Sequence, residues 1–157
     1  NIIKWLVPYT KGELKVVGYN NGEKADEYIL NTTSKKVSKI KIKSTKKQLN
    51  ADGYDVAIIK INLLDENGNL ITDNDQEVTF NLSGLAKNIG VDNGWEMNVQ
   101  SHKTNVTKTH QGKAILIVQS TKEKGTILVS ASVKDIKSND LDIMEHLFHC
   151  NVFLKCC

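Results

Sequence analysis

A series of short segments, each alternating between apolar and polar residues and each closed by glycine, asparagine or aspartate, is the strongest constraint on the fold. From Lys39 onward about seven or eight such segments follow one another at regular spacing. In the clearest of them, residues 56–64, one set of alternate residues is wholly apolar, as expected for a strand with one buried face. Before Asp140 no stretch combines the 3.6-residue period of a helix with capping residues. The pattern predicts an all-β fold, a sandwich of about seven or eight strands.

The same alternation predicts which residues fill the core. Lys39, Lys41 and Lys43 alternate with Ile40 and Ile42, so we expect the lysines on the solvent face of a strand and the isoleucines inside. Lysines on an exposed strand also discourage pairing with the edge of another sheet. By this reasoning the predicted core consists of Ile40, Ile59, Ile61, Phe80, Ile115, Ile117 and Val129.

The pattern divides the chain into three parts. Residues 1–33 hold two strand-like segments around Asn20-Asn21-Gly22, a turn of the Asn-Gly hairpin type. Residues 34–144 hold the sandwich, and residues 145–157 form an atypical tail that contains all three cysteines. A lone hairpin is marginally stable in water, so we expect residues 1–33 to dock on the sandwich or to pair with a second copy of the chain.

Composition excludes several classes of partner. The net charge of +3 comes from 21 basic and 18 acidic residues, a balance that argues against a nucleic-acid-binding protein. No apolar run approaches the roughly 20 residues that cross a bilayer, so no membrane partner is expected. The first residues lack the pattern of a signal peptide, and cysteines confined to the tail give no disulfide framework. The compartment therefore stays open between the cytoplasm and secretion.

No catalytic residue, metal site or cofactor is predicted. The acidic residues that could be catalytic fall mostly in turn segments, where Asp caps the local backbone. They are Asp52, Asp65, Asp73, Asp75 and Asp92. An EF-hand counted from Asp65 fails, because it lacks Gly at the sixth position and Glu at the twelfth, although an irregular calcium site of oxygen ligands stays open. The tail carries zinc-binding atoms in a spacing that matches no standard site: His146, His149, Cys150, Cys156 and Cys157.

One aromatic residue stands beside a tight turn. Trp95 follows Asp92-Asn93-Gly94, and an indole in such a place could stack on a sugar ring while Asp92 and Asn93 supply hydrogen bonds. The alternative is a loop aromatic that packs over the open end of the sandwich, since tryptophan is usually well buried. The candidate sugar-contact residues are therefore Asp92, Asn93 and Trp95.

Two groups of motifs resemble a known family. Trp5-Leu6-Val7-Pro8-Tyr9 and Val17-Gly18-Tyr19-Asn20-Asn21-Gly22 are similar to the closing hairpin of an immunoglobulin-like domain in family-2 glycoside hydrolases of the β-galactosidase type. A later series resembles the last immunoglobulin-like module of these enzymes, and also bacterial adhesin repeats. It includes Asn50-Ala51-Asp52-Gly53, Gly90-Val91-Asp92-Asn93-Gly94 and Gly112-Lys113-Ala114.

The resemblance implies an immunoglobulin-like sandwich within a retaining glycosidase that acts on a β-linked sugar. The two catalytic glutamates of the family lie in a barrel domain, and no residue of this chain matches their motifs. We therefore expect a non-catalytic accessory module whose partners are the other domains of its parent enzyme. A carbohydrate-binding module and a bacterial surface-adhesion repeat are the alternatives, because fold resemblance alone does not define function.

Overall fold

The structure, a computed structural model, describes residues 2–146. The chain divides into two compact units, one ending at Ser34 and the other beginning at Lys35. Among the described residues, no helix has the length and apolar character needed to cross a membrane.

The first unit contains a β-hairpin. Strands β1 (Glu13–Asn20) and β2 (Glu23–Asn31) pair antiparallel, with a register shift between Gly18 and Tyr19. Asn21 and Gly22 have φ values of 51° and 84°, the left-handed conformation that a tight hairpin turn requires and that these two residue types tolerate. The predicted hairpin is confirmed, and nearly every residue of both strands is exposed.

The second unit is a sandwich of two sheets. A four-stranded antiparallel sheet runs in the order β3-β5-β9-β7, formed by β3 (Lys39–Ser44), β5 (Val56–Leu64), β7 (Ala86–Asp92) and β9 (Lys113–Ser120). The facing sheet is built from β4 (Gln48–Asn50), β6 (Glu77–Ser83), β8 (Val106–Lys108), β10 (Thr126–Val133), β11 (Ile136–Lys137) and β12 (Leu141–His146).

This second sheet has the order β4-β12-β10-β6-β8, with β11 paired to β10, and only the β4–β12 pair among its described pairs is parallel. Within residues 2–146 the sandwich has seven strands of six or more residues and three of two or three. The expected all-β, immunoglobulin-like sandwich is confirmed. Strand β12 continues to His146, two residues beyond the boundary that the sequence suggested, and residues 147–157 lie outside the described part of the chain.

The core lies between the two sheets. Five of the predicted core residues are buried there: Ile40, Ile59, Ile61, Phe80 and Val129. The prediction for Ile115 and Ile117 is wrong, because these side chains lie on the outer face of β9, while the alternate residues Ala114, Leu116 and Val118 are buried. The cause is a strand apolar on both faces, so alternation alone does not say which face turns inward.

One acidic side chain is buried on the inner face of the second sheet. Glu145 on β12 is only 4% exposed; its Oε1 accepts a hydrogen bond from the Thr121 backbone N–H at 3.1 Å. Within residues 2–146, Oε2 is buried without a hydrogen-bond partner. Burial raises the pKa of the Glu145 carboxyl, and the Thr121 hydrogen bond offsets this only in part. The folded state therefore favours the protonated acid.

Replacing this acid should stabilise the sandwich at neutral pH. Because folding raises the pKa of Glu145, its destabilising effect is absent at low pH, where the carboxyl is protonated in both states. The effect grows as the pH rises above the unfolded-state pKa and is complete above the folded-state pKa. We expect Glu145→Gln to raise the free energy of unfolding by about 1 kcal/mol near neutral pH and by little near pH 4. Urea unfolding at both pH values measures the difference, and an equal effect at both would contradict this explanation.

Candidate functional site

The loop that follows β7 is organised by Asp92. Its Oδ1 accepts hydrogen bonds from the Asn93 backbone N–H at 2.7 Å, from the Gly94 N–H at 3.3 Å and from the Asn98 side-chain amide at 3.1 Å. Burial raises the pKa of Asp92, but these hydrogen bonds outweigh it and hold the pKa below its ordinary value. Asp92 is thus an ionised turn-capping residue.

Asn93 connects this loop to the neighbouring sheet. Its Nδ2 donates to the Lys108 carbonyl at 2.9 Å, and its Oδ1 accepts from the Trp95 backbone N–H at 2.9 Å. The side chain is nearly buried, and both of its polar atoms are engaged by the backbone. Asn93 therefore fixes the position of Trp95 relative to β8.

Trp95 lies half-open at the surface. Its indole is stacked on the His110 imidazole, with ring centroids 5.7 Å apart and an interplanar angle of 15°. The residue is 45% exposed, so the His110 contact covers part of the indole and leaves the rest accessible. The structure thus joins Trp95 to Asn93 by a backbone hydrogen bond. It adds His110, which the sequence did not single out because 15 residues and a strand separate the two rings.

A shallow cleft surrounds the stacked rings. It is lined by Asp75, Asn93, Trp95, Gln100, Lys108, Thr109 and His110. Asp75 Oδ1 accepts from the Gly112 backbone N–H at 3.2 Å and lies 3.4 Å from Thr109 Oγ1, while its Oδ2 is 3.9 Å from His110 Nδ1. Asp75, predicted as a local turn residue, therefore connects the loop before β6 to the loop before β9.

Asp52, Asp55 and Glu145 do not form an acid and base pair of the kind that cleaves a glycosidic bond. Asp52 and Asp55 are close, but hydrogen bonds lower the pKa of both: those from the Tyr54 and Asp55 backbone to Asp52, and that from the Lys46 ammonium to Asp55. Neither would hold a proton to give to a leaving group. Glu145 has a raised pKa, but its side chain is buried.

Other acidic residues also cap turns. Asp65 is fully buried, and its Oδ1 accepts from the backbone N–H groups of Asn67 at 3.0 Å and Asn69 at 2.8 Å. In the described part of the chain, no three His, Cys, Asp or Glu side chains are grouped so as to hold a metal ion. The histidine and cysteine cluster of the tail lies outside the described residues, apart from His146 at the end of β12.

Fold and loop geometry define an immunoglobulin-like β-sandwich module with a shallow cleft at Trp95 and His110. Comparison with known families is specific. Residues 40–142 match the glycoside hydrolase family 2 C-terminal domain 5, and residues 1–26 match a domain of unknown function. The chain belongs to the glycoside hydrolase family 2 C-terminal domain 5 family. It is an accessory region of that family, as the sequence motifs implied.

Individual relatives are bacterial. A β-galactosidase of Bacteroides ovatus is 28% identical over 141 residues, which cover 90% of this chain and 16% of that protein. A putative β-glucuronidase of Formosa agariphila is 32% identical over 91 residues, which cover 58% of this chain and 9% of that protein.

Solved structures agree with this assignment. A glycosyl hydrolase family 2 member from Bacteroides cellulosilyticus superposes with a TM-score of 0.80 at 34% identity, over 89% of this chain and 18% of that one. A β-glycosidase from Bacteroides vulgatus gives a TM-score of 0.77 at 25% identity, over 89% of this chain and 18% of that one. The chain spans less than a fifth of the length of these relatives.

Proposed function

We propose that this chain is a structural accessory module of a β-galactosidase-type glycoside hydrolase whose catalytic carboxylates lie in another domain. The observation that carries the proposal is the alignment of nearly the whole chain with about a sixth of much longer family 2 enzymes. The engagement of Asp52, Asp65 and Asp92 in backbone capping supports it, since these carboxylates stabilise turns of the module. The module would present its surfaces to other domains of the parent enzyme.

The isolated chain should not hydrolyse glycosides. Hydrolysis of chromogenic β-galactosides and β-glucuronides measures this directly, with a mock purification as the reference. We expect rates equal to that reference, because Asp52 and Asp55 have lowered pKa values and Glu145, whose pKa is raised, is buried. Activity that stays with the chain through further purification would place catalysis here and refute the proposal.

The proposed structural role, in which the module contacts other domains, can be tested in the parent enzyme. Removal of residues 34–146 should lower the thermal unfolding midpoint of the parent while leaving kcat/KM on a small soluble substrate nearly unchanged, because the module contacts neighbouring domains and not the reacting bond. A loss of kcat/KM with an unchanged unfolding midpoint would instead assign the module a part in substrate handling.

We also propose that residues 1–33 are the closing hairpin of a preceding domain and that this hairpin drives self-association of the isolated chain. Large apolar side chains of this segment are exposed, among them Trp5, Leu6, Tyr9, Tyr19 and Tyr28. Exposed apolar surface and open strand edges recruit partners.

Light scattering should show the 157-residue chain as oligomers and residues 34–146 as a monomer. The shortened chain keeps Glu145 and His146 because both belong to β12. Measurements with and without reductant separate hairpin-driven association from disulfides between tail cysteines. A monomeric full chain, together with a less stable shortened chain, would show that the hairpin belongs to the sandwich.

A second candidate function rests on the cleft at Trp95. We propose that the accessible part of its indole contacts a sugar ring, with Asp92 and Asn93 acting through the loop that they hold and Asp75, Gln100 and Lys108 lining the cleft. The supporting observation is an exposed tryptophan whose ring is held flat against His110.

Calorimetry with galactobiose and with glucuronic acid tests this contact. Trp95→Ala should weaken binding by about tenfold or more, which corresponds to the loss of about 1.4 kcal/mol. Trp5→Ala is the matched control, because Trp5 is 64% exposed and lies in the hairpin unit. Equal affinities of the three proteins, or no binding by the unaltered chain, would leave Trp95 as a loop-packing residue.

A further inference from the structure

Six lysines lie on the outer face of the four-stranded sheet. On β3, β5 and β9 the buried residues alternate with exposed ones, and the register of the strands places the exposed lysines on one surface. Lys87 joins them because it pairs with Gln119, which also faces outward. We call this surface the lysine face; its lysines are Lys39, Lys41, Lys43, Lys60, Lys87 and Lys113.

Several lysines of the lysine face occupy opposed positions on neighbouring strands. Lys43 and Lys60 are directly opposed across β3 and β5, and Lys41 and Lys113 flank Asn62 in the next row. Directly opposed like charges destabilise a sheet. The lysines that form ion pairs at Glu27, Asp73, Asp55 and Asp140 are outside this face.

Acidic residues near the face are already engaged. Asp92 also pairs with a residue of the outer face, but its carboxylate is held by the loop that it caps. Asp55, before β5, is paired with Lys46, and Asp65, after β5, is buried in its own turn. These three carboxylates are therefore held in their own turns or ion pairs.

The other sheet is different. On its outer face Glu77 is directly opposite Lys108, a pair of opposite charges, and Asp142 lies opposite Leu128. The remaining outward residues of β6 are neutral: Thr79, Asn81 and Ser83. The contrast between the two faces shows that the lysines are concentrated on one surface and do not simply reflect a lysine-rich chain.

We propose that the lysine face binds a linear anionic polysaccharide, with carboxylate or sulfate groups. Alternate residues of a strand are about 6.6 Å apart and neighbouring strands about 4.8 Å apart, so the lysines form a two-dimensional array of cations across the sheet. A flexible chain with anionic groups at regular intervals can lie along such an array and neutralise several opposed lysines at once. Binding of this kind goes beyond the accessory role proposed above and does not depend on it.

Other anionic partners fit the face less well. The chain contains no arginine, and strands β3, β5, β7 and β9 contain no aromatic residue. Base-specific recognition of nucleic acids uses arginine contacts to bases, and single-strand binding uses aromatic stacking, neither of which this face offers. Protein interfaces are depleted in lysine and depend on tryptophan, tyrosine and arginine for affinity. An unbranched polyanion needs only exposed point charges.

The test compares two variants of equal net charge. The face variant carries Lys41→Gln, Lys43→Gln and Lys60→Gln. The control variant carries Lys122→Gln, Lys124→Gln and Lys134→Gln, which are exposed in the loops after β9 and β10. Calorimetry on the 157-residue chain uses heparin as the sulfated probe, polygalacturonate as the carboxylated probe, and dextran and duplex DNA as comparisons.

The unaltered chain should bind heparin, polygalacturonate or both, but not dextran. Its affinity for the anionic polysaccharide should fall tenfold or more from about 50 to about 200 mM salt, because binding releases counterions. The face variant should bind about tenfold more weakly, and the control variant within about twofold of the unaltered chain. The face variant should also have a higher thermal unfolding midpoint at low salt, since the opposition of Lys43 and Lys60 is removed.

Several outcomes would overturn the proposal. If the face variant and the control variant lose affinity equally, binding responds to net charge alone. If dextran binds as strongly as the acidic polysaccharides, the charge of the ligand plays no part. Tighter binding to DNA than to either polysaccharide would identify a nucleic-acid surface instead. Absence of binding at low salt would exclude the proposal outright. If the triple variant does not fold, Lys43→Gln and Lys60→Gln are measured singly, against Lys122→Gln.

Discussion

Ile59→Ala is expected to destabilise the sandwich by about 2–5 kcal/mol, the range for truncation of a large aliphatic side chain in a packed core. Ile59 is fully buried at the centre of β5, which pairs with both β3 and β9. Its side chain belongs to the cluster that joins the two sheets, so truncation removes buried apolar surface and leaves a cavity between them.

The neighbouring residue supplies the control. Ile58 is next to Ile59 on the same strand, but its side chain lies on the outer face opposite Ile117. Ile58→Ala removes the same atoms and should cost clearly less, about 1 kcal/mol, because a partly exposed site leaves no closed cavity. Urea denaturation of both variants gives the comparison, and equal losses of unfolding free energy would contradict the assignment of the two faces of β5.

The contrast between β5 and β9 shows what alternation can predict. On β5 the outward positions include Lys60 and Asn62, which mark the solvent face and so identify Ile59 and Ile61 as core residues. On β9 both alternate sets are apolar in the middle of the strand, and the pairing of Ile115 with Lys60 decides the face. That pairing joins two strands distant in sequence, so the local sequence does not predict it.

The candidate site shows the same division between local and distant contacts. The turn at Asp92 and Asn93 was predictable, because a capping Asp acts on backbone groups one or two residues away. The stacking of His110 on Trp95 and the hydrogen bond from Gly112 to Asp75 join segments separated by 15 and 37 residues. Such contacts follow from the packing of β7, β8 and β9 around the loops, so a motif search misses them.

Gly112→Ala is expected to lower the free energy of unfolding by about 2–5 kcal/mol, as much as truncation of a core side chain. Gly112 has φ of 70°, which costs a residue with a side chain about 1–2 kcal/mol, and a Cβ there would lie 2.0 Å from the Ile71 carbonyl oxygen. That contact is with backbone, so the loop after β5 or the start of β9 must move, at a further cost typical of overpacking.

The hydrogen bonds around Gly112 make such a movement expensive. Its carbonyl accepts from the Leu63 N–H at 2.8 Å, and its own N–H donates to Asp75. Gly68→Ala is the matched control, because Gly68 has φ of 84° but nothing within 4 Å of an added Cβ, so only the cost of the left-handed conformation applies. Thermal and urea unfolding should therefore rank the variants with Gly112→Ala well below Gly68→Ala. Similar losses in both would mean that the backbone conformation, and not the close approach of Ile71, requires glycine at position 112.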